Sequence, residues 1–239
     1  MVVNVLEREM FTEAEAARLL RVPQRTLNYW LEGGVRRDTA YKPVIRVEPR
    51  GAHSPVTADV NALVQRGAHP AVTWAEFIEA GLLRQYRKHV PMAELRAFID
   101  QVRRDFGIPY PLADRRPYVS GRELLAEAQD AAKLDAGLCL VALVRGQYVL
   151  TPAADAFYQR VTWEGDTAAA WRPHDDPQSP VLMQPGIRAG RPAVKGISTE
   201  VLWEQEQSGE AVTDIASDFD LAEEDVLWAL AYETSARAA

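Results

Sequence analysis

Six polar residues between positions 24 and 37 have the types and spacing that recognition of bases and phosphates requires. They are Gln24, Arg25, Asn28, Tyr29, Arg36 and Arg37. Arginine pairs bidentately with guanine, and asparagine or glutamine with adenine, so the first three predict contacts with base edges. The tyrosine is predicted to contact a phosphate, and the last two arginines the DNA backbone or the minor groove. The alternative is a plain helical hairpin whose polar residues face solvent.

A second set of charged candidates lies near the other end of the chain. It comprises three cations in a loop rich in glycine and proline, Arg188, Arg191 and Lys195, and three carboxylates in the helical segments beyond it, Glu204, Glu206 and Asp218. The carboxylates fit a basic protein partner. Two alternatives stay open: solvated acidic helix faces, and a loop whose glycines only allow tight turns and whose cations are solvated.

The two halves of the chain carry opposite net charge. Residues 1–117 contain 18 Lys and Arg against 14 Asp and Glu, whereas residues 118–239 contain 9 against 20. DNA, a polyanion, is attracted to the first half and repelled by the second. A helix-turn-helix pattern over 212–232 is therefore poor evidence for DNA contact. This asymmetry predicts nucleic acid at one end and a basic protein partner at the other.

Composition argues against an enzyme, a metal site and a membrane protein. The chain has one cysteine and four scattered histidines, whereas zinc ligands cluster at short spacings. Gly-x-Ser-x-Gly, phosphate-loop and dinucleotide-binding patterns do not occur in the sequence. The N-terminus lacks the features of a signal peptide, and no apolar stretch approaches 18 residues. We expect a cytoplasmic protein with no catalytic residue, no metal and no cofactor.

Capping patterns and helical periodicity predict how the DNA-binding candidates are positioned. A capping box at Thr12 and Glu15 starts a first helix, Pro23 opens a second, and Gly33 ends it. The second helix has an apolar face, which leaves its polar candidates outward. The residues of that face are Leu27, Trp30 and Leu31. The mixture of apolar and basic residues over 35–47 predicts a short basic β-hairpin.

Similar signals predict elements along the rest of the chain. Predicted helix starts are Thr73, Pro91, Ser120, Ser198, Ala211 and Asp220. Predicted strands and connections are hairpins over 138–150 and 160–172, an extended connection over 108–117, a linker over 173–180 and a short strand over 181–183.

A family resemblance covers roughly residues 10–106. The run FTEAEAARLLRVPQRTLNYW at 11–30 resembles the winged helix-turn-helix of the MerR and excisionase group. Members carry an arginine and an aromatic residue in the second helix that contact DNA, and these match Arg25 and Tyr29. The helical pair predicted over 73–106 stands where MerR-like proteins have their next two helices. The resemblance implies a DNA-binding domain.

A second resemblance covers residues 185–233. The run GRPAVKG at 190–196, the pair Gly209-Glu210 and the helix over 215–219 are similar to the family called domain of unknown function 433. That family is associated with VapB-type antitoxins, often encoded beside a toxin with a PIN-like nuclease fold. Antitoxins can place an arginine or lysine among the catalytic carboxylates of such a toxin, which makes the cationic loop a candidate insert. Ile197-Ser198 departs from the Thr-Arg of many members, so no role of that arginine is carried over.

These patterns predict an α+β protein with three regions. They are a MerR-like winged helix-turn-helix plus helical pair over 1–112, a mixed α/β middle region with a linker over 113–180, and a helical, helix-turn-helix-like domain over 181–239.

The implied function is that of an antitoxin in a type II toxin–antitoxin pair. Such a protein neutralises a PIN-like ribonuclease toxin and represses its own operon by binding operator DNA. A homodimer is expected because a single helix-turn-helix reads too few base pairs for useful specificity. Two alternatives stay open. One is a MerR-like regulator that senses a small molecule in an apolar pocket lined by the hairpins within 138–172, and the other is an interaction adaptor that does not bind DNA.

Overall fold

A computed structural model describes residues 5–36, 38–47, 72–86, 92–136, 139–145, 147–174 and 176–238 of the chain. The candidate Arg37 and the helix start predicted at Pro91 lie outside the described residues, and of Arg36 only the backbone is described. The fold is mixed α+β, with strands in two-stranded sheets. The chain divides into two compact units. The first unit is Met1–Tyr158 with Glu164–Ala168, and the second is Gln159–Trp163 with Ala169–Ala239.

The first unit combines short helices with antiparallel two-stranded sheets. Its helices are α1 (Glu13–Leu19), α2 (Gln24–Glu32), α3 (Trp74–Tyr86), α4 (Met92–Phe106), α5 (Arg116–Val119), α6 (Arg122–Ala131) and α7 (Pro152–Arg160). Its strands are β1 (Glu9–Phe11), β2 (Gly34–Arg36), β3 (Thr39–Tyr41), β4 (Val72–Thr73), β5 (Val141–Val144) and β6 (Gln147–Leu150). β1 pairs with β4, β2 with β3, and β5 with β6, so the hairpin predicted over 138–150 is confirmed.

Aromatic side chains from β1 and α3 form part of the core of the first unit. The ring centroids of Phe11 and Phe77 lie 4.6 Å apart, and Trp74 stacks on Phe77 at 5.8 Å. All three side chains are fully buried. The indole N–H of Trp74 donates to the carbonyl of Ala168 at 2.7 Å, so its polar atom is satisfied inside the core.

Two predicted helix starts are confirmed by their hydrogen bonds. Thr12 Oγ1 accepts the Glu15 N–H at 3.1 Å before α1. Before α3, Thr73 Oγ1 accepts the Glu76 N–H at 3.3 Å, and Glu76 Oε2 accepts the Thr73 N–H at 2.9 Å. These bonds satisfy N–H groups that the first turn of a helix leaves without a partner.

The prediction of an extended connection over 108–117 is wrong. The structure has a 3-10 turn at Pro111–Ala113 and the short helix α5 instead. Proline is tolerated at the start of a helical turn, where its missing N–H costs nothing. Distant partners then fix the turn, because the Leu112 N–H donates to Glu79 Oε1 at 2.9 Å and the Tyr118 hydroxyl donates to the Leu112 carbonyl at 2.9 Å.

The hairpin predicted over 35–47 is shorter than expected. β3 ends at Tyr41, and the N–H groups of Val44 and Ile45 both donate to the Trp30 carbonyl, at 2.8 and 3.0 Å. Both side chains are fully buried. Burial of these apolar side chains on the body of the unit is more favourable than extending an exposed two-stranded hairpin, which is marginal alone.

Two predicted caps are displaced. α6 begins after Gly121 rather than Ser120, because the Ser120 N–H donates to the Arg116 carbonyl at 3.1 Å and so belongs to the end of α5. The last helix begins after Ala222 rather than Asp220. There the Asp225 carboxylate reaches back to accept the Ala222 N–H at 3.2 Å.

Buried charges hold the centre of the first unit. Arg46 donates to Glu76 from Nε at 2.9 Å and from Nη2 at 3.1 Å, and its third nitrogen contacts Glu32. Arg103 Nη2 lies 3.7 Å from Oε2 of the fully buried Glu79. Burial raises the pKa of Glu79 to about 7, and the positive charge of Arg103 opposes only part of that rise. The Glu79 side chain therefore titrates near neutral pH.

We expect the unfolding free energy to depend on pH through Glu79. Its folded pKa of about 7 lies above the ordinary 4.5, so the stabilising contribution is complete below pH 4.5. As pH rises, the unfolded chain loses this proton first, so stability falls up to about pH 7 and is level above it. The loss should be about 3 kcal/mol. Denaturant titrations of the wild type and of Glu79→Gln across this range measure the difference.

Glu94→Gln, at a half-buried position of α4, is the matched control and should keep the pH profile of the wild type. If Glu79→Gln and wild type show parallel profiles, the carboxyl of Glu79 is not the titrating group.

The second unit packs short helices on a small hairpin. Its helices are α8 (Thr199–Gln207), α9 (Val212–Asp218) and α10 (Glu223–Arg237), and its hairpin is β9 (Ala193–Val194) with β10 (Ile197–Ser198). β7 (Val161–Glu164) pairs with β8 (Thr167–Trp171), which confirms the hairpin predicted over 160–172, and this hairpin contributes residues to both units. Within 181–183, isolated bridges join Met183 to Trp171 and Leu182 to Ala193.

Apolar residues of α8, α9 and α10 form the core of the second unit. Leu202, Ile215, Val226 and Tyr232 are members, and Val181, which precedes these helices, packs with them. Ser198 occupies the predicted position before α8, but without a side-chain cap bond. The three regions predicted from the sequence, and the two boundaries between them, stay predictions. Residues 113–158 belong to the first unit here, and segment 173–180 lies within the second.

No helix within the described stretches is long and apolar enough to cross a bilayer.

Candidate nucleic-acid interface and acidic C-terminal surface

Helix α2 carries the predicted base-reading residues on its outer face. Leu27, Trp30 and Leu31 are buried to 1% exposure or less, at the helical spacing that the sequence predicts. Gln24, Arg25 and Asn28 are exposed. The geometry therefore brings three of the DNA-binding candidates onto one solvent-facing side of α2.

Asn28 has a partner that sequence reasoning missed. Its Nδ2 donates to Oε2 of Glu13, in α1, at 3.0 Å. Bidentate pairing with adenine uses both the donor and the acceptor of an asparagine amide, so base reading by Asn28 requires exchange of this bond. Glu13 also brings a negative charge to the edge of the candidate interface.

Tyr29 is half-buried and belongs to a cluster with Tyr41 and Arg96. The two rings lie 6.4 Å apart, centroid to centroid. The guanidinium carbon of Arg96 lies 6.0 Å from each ring centroid, and Nη2 donates to the Tyr29 hydroxyl at 3.4 Å. Sequence reasoning missed Arg96, because it lies on α4 and is 67 residues from Tyr29.

The β2–β3 hairpin follows α2 directly. Gly33 takes φ +74°, and a Cβ at this position would clash with the Tyr41 carbonyl oxygen, so glycine is required for the chain to turn here. Gly34 pairs with Tyr41, and Arg36 pairs with Thr39. The hairpin projects into solvent, with Val35 74% exposed.

A cleft of about 370 Å³ lies beside this region, between segment 42–47 and the end of α4. Arg46 and Arg103 in its wall are already paired with carboxylates, Arg46 with Glu76 and Arg103 with Asp100 at 3.1 Å. This cleft has a cationic wall, and none of its lining residues belongs to the hairpins within 138–172. It is therefore not the pocket that a small-molecule sensor built on those hairpins would use.

The net charge of the chain resides in the second unit. By residue count the first unit has 21 Lys and Arg and 21 Asp and Glu, whereas the second has 6 and 13. The second unit thus carries a net charge of −7, equal to that of the whole chain. Of its predicted partner-binding carboxylates, Glu204 and Asp218 are exposed and Glu206 is half-buried.

The three candidate cations of the second unit are exposed. Arg188 Nε donates to the Gly196 carbonyl at 3.0 Å, which ties the two ends of the loop together. Lys195 Nζ lies 2.7 Å from Asp225 Oδ2, yet its side chain is 61% exposed. Arg191 also has a contact of its own. The loop therefore presents positive charge on an otherwise acidic unit.

The loop backbone is left-handed at three successive residues. Arg188, Ala189 and Gly190 have φ of 49, 51 and 78°. Only glycine adopts this region without a steric cost, and such strain persists where the surrounding structure over-determines it.

We expect Ala189→Gly to stabilise the protein by about 0.5–1 kcal/mol. Glycine removes the contact between Cβ and the carbonyl oxygen at φ 51°, and this gain exceeds the extra chain entropy that glycine loses on folding. Thermal unfolding of the full chain measures the change. Ala231→Gly, at an exposed helical position of α10, should instead lower stability by about 1 kcal/mol. Destabilisation by both substitutions would mean that residue 189 is not left-handed in solution.

Comparisons with known proteins give one family match and two related proteins. Residues 181–232 match the family described as Protein of unknown function (DUF433). The chain is 28% identical over 254 residues to uncharacterized protein Rv2308 of Mycobacterium tuberculosis, covering 100% of this chain and 95% of that protein. It is also 28% identical over 201 residues to the protein named "Putative antitoxin VapB45" of the same organism, covering 80% and 79%.

The fold is also similar to that of a solved structure. The crystal structure of Rv2018 from Mycobacterium tuberculosis matches with a TM-score of 0.72 and 22% identity, covering 95% of this chain and 100% of that one. At this identity the likeness concerns the fold alone. The matched residues include residues of both units.

Proposed function

We propose that this protein is the antitoxin of a toxin–antitoxin pair, binding operator DNA through its first unit and a nuclease toxin through its second. The observation that carries the proposal is the coincidence of the DUF433 match with the unit that holds the whole net negative charge. The similarity to a protein named as a VapB antitoxin supports the same function.

For DNA binding, α1 and α2 act as a helix-turn-helix and the β2–β3 hairpin as its wing. Gln24 and Arg25 face solvent on α2 and read base edges in the major groove. Asn28 exchanges its bond to Glu13 for adenine, and Tyr29 donates to a phosphate. Arg36 and Arg37 extend the contact to the backbone or the minor groove.

The protein binds its operator as a homodimer. One helix-turn-helix reads too few base pairs to select a single genomic site, whereas two copies bind two half-sites about one helical turn apart. Repression of the operon follows from occupation of its promoter.

For toxin binding, the acidic face of the second unit occupies the RNA-binding surface of a basic, PIN-like ribonuclease. Glu204, Glu206 and Asp218 supply charge that speeds association. The cationic loop binds negative charge instead, because a ribonuclease of this class holds carboxylates at its catalytic centre. One of Arg188, Arg191 and Lys195 inserts among those carboxylates. Neither task requires a cofactor or a catalytic residue.

The test is co-expression of the full chain with the product of the neighbouring gene. The proposal expects a complex that survives purification and restores growth to cells expressing the toxin. A toxic neighbouring product that is neither bound nor neutralised by this chain would overturn the antitoxin function. DNA binding is tested separately with a duplex from the operon's own promoter, against a random duplex of equal length.

A further inference from the structure

Arg96 connects two elements of the proposed DNA interface. From α4, its Nε donates to the Pro43 carbonyl at 3.2 Å, and its Nη2 donates to the Tyr29 hydroxyl at 3.4 Å. Its guanidinium also lies 6.0 Å from the ring centroids of Tyr29 and Tyr41. One cation is thus shared by α2, the end of β3 and the segment that follows the hairpin.

We infer that Arg96 is a positioning residue, which holds the β2–β3 hairpin at a fixed angle to α2 and orients the Tyr29 hydroxyl toward DNA. This inference rests on the proposed DNA binding. Arg96 affects DNA binding through Tyr29 and Tyr41 and does not itself contact DNA.

The hairpin needs such a support because it is short and exposed. β2 and β3 have three residues each, and an isolated two-stranded hairpin is marginal in water. Val35, Thr39 and Ala40 are exposed, so packing of their side chains does little to fix its direction. Tyr41 is half-buried, and a cation between its ring and that of Tyr29 links the hairpin to α2.

The direction of the hydrogen bond decides what Tyr29 does. Arginine only donates, so the Tyr29 oxygen accepts from Arg96 and keeps its own proton for another acceptor. A phosphate oxygen is such an acceptor. Without Arg96, the hydroxyl is free to rotate, and the ring loses the cation against its face.

Arg96 itself is poorly placed to bind a phosphate. It is half-buried, and two of its nitrogens already donate to Pro43 and Tyr29. Loss of one phosphate contact per protomer makes the slope of log K against log salt less negative by about 0.9 per contact, or about 1.8 for the dimer, whereas loss of a positioning residue weakens binding at an unchanged slope. Salt dependence therefore separates the two roles.

The test compares full-length Arg96→Gln with Arg145→Gln, which removes the same charge from an exposed turn of the first unit. For Arg96→Gln we expect amide exchange in β2 and β3 to accelerate about ten-fold. Affinity for the promoter duplex should fall about ten-fold at an unchanged salt slope. Arg145→Gln should exchange and bind as wild type.

Two results would overturn the inference. One is unchanged exchange in β2 and β3 of Arg96→Gln, and the other is a salt slope that becomes less negative by about 1.8 for the dimer. If Arg96→Gln does not fold, Tyr41→Leu removes the other side of the same contact and should give the same faster exchange and weaker binding. A wild-type protein that binds no duplex contradicts the proposed function, while the exchange experiment still decides whether Arg96 holds the hairpin.

Discussion

The triple variant Glu204→Lys, Glu206→Lys, Asp218→Lys is expected to remain folded and to lose toxin binding. Glu204 and Asp218 are exposed and Glu206 is half-buried, and surface substitutions usually change stability by less than about 0.5 kcal/mol each. Reversal of three charges turns attraction to a basic nuclease into repulsion. We expect the dissociation constant to rise about 100-fold or more, mainly because association becomes slower. Calorimetry and growth rescue measure the loss, and circular dichroism checks the fold.

The matched control reverses three exposed carboxylates of α6 in the first unit. Glu123→Lys, Glu127→Lys and Asp130→Lys change the net charge by the same amount on exposed positions. This control should bind the toxin and rescue growth as the wild type does. Rescue by the second-unit variant at wild-type level would mean that the toxin is held elsewhere.

Arg25→Ala is expected to weaken operator binding by about 1–3 kcal/mol, which is roughly five- to 150-fold. Arg25 is exposed in the first turn of α2, where a recognition helix meets base edges. Loss of a base contact should also relax the preference at one base pair of each half-site. Titration of the full chain against the promoter duplex and its single-base variants measures both effects.

The wild type should bind this duplex with a strong salt dependence. About four to eight phosphate contacts per dimer predict a slope of log K against log salt near −4 to −7. Arg145→Ala, which removes a charge from a turn outside α2 and its hairpin, should leave affinity and base preference unchanged. Equal binding by Arg25→Ala and wild type would show that α2 does not lie in the groove.

The predicted losses of DNA binding and of toxin binding arise in different units of the protein. Arg25 belongs to the neutral first unit, and the carboxylates belong to the second unit with its net charge of −7. Variants of one unit should therefore leave the partner of the other unit bound. A variant that loses both partners would point to unfolding rather than to a lost contact.

Local patterns in the sequence determined most of the helices, two of their caps and which side of α2 faces solvent. Leu27, Trp30 and Leu31 recur at helical spacing and are buried, and the box of Thr73 and Glu76 forms as its spacing predicts. Such features depend on residues three or four positions apart, so they are legible without the fold. The division of charge between the two ends is likewise a property of composition.

Only the tertiary structure decided which distant polar groups meet. Arg96 reaches Tyr29 across 67 residues, and Arg46 reaches Glu76 across 30. A buried charge is tolerated only beside its partner, and that partner is chosen by packing rather than by spacing along the chain. The same competition ended β3 at Tyr41, because burial of the apolar residues that follow outweighs a longer exposed hairpin. Periodicity describes one element at a time, whereas these contacts exist only once several elements have packed.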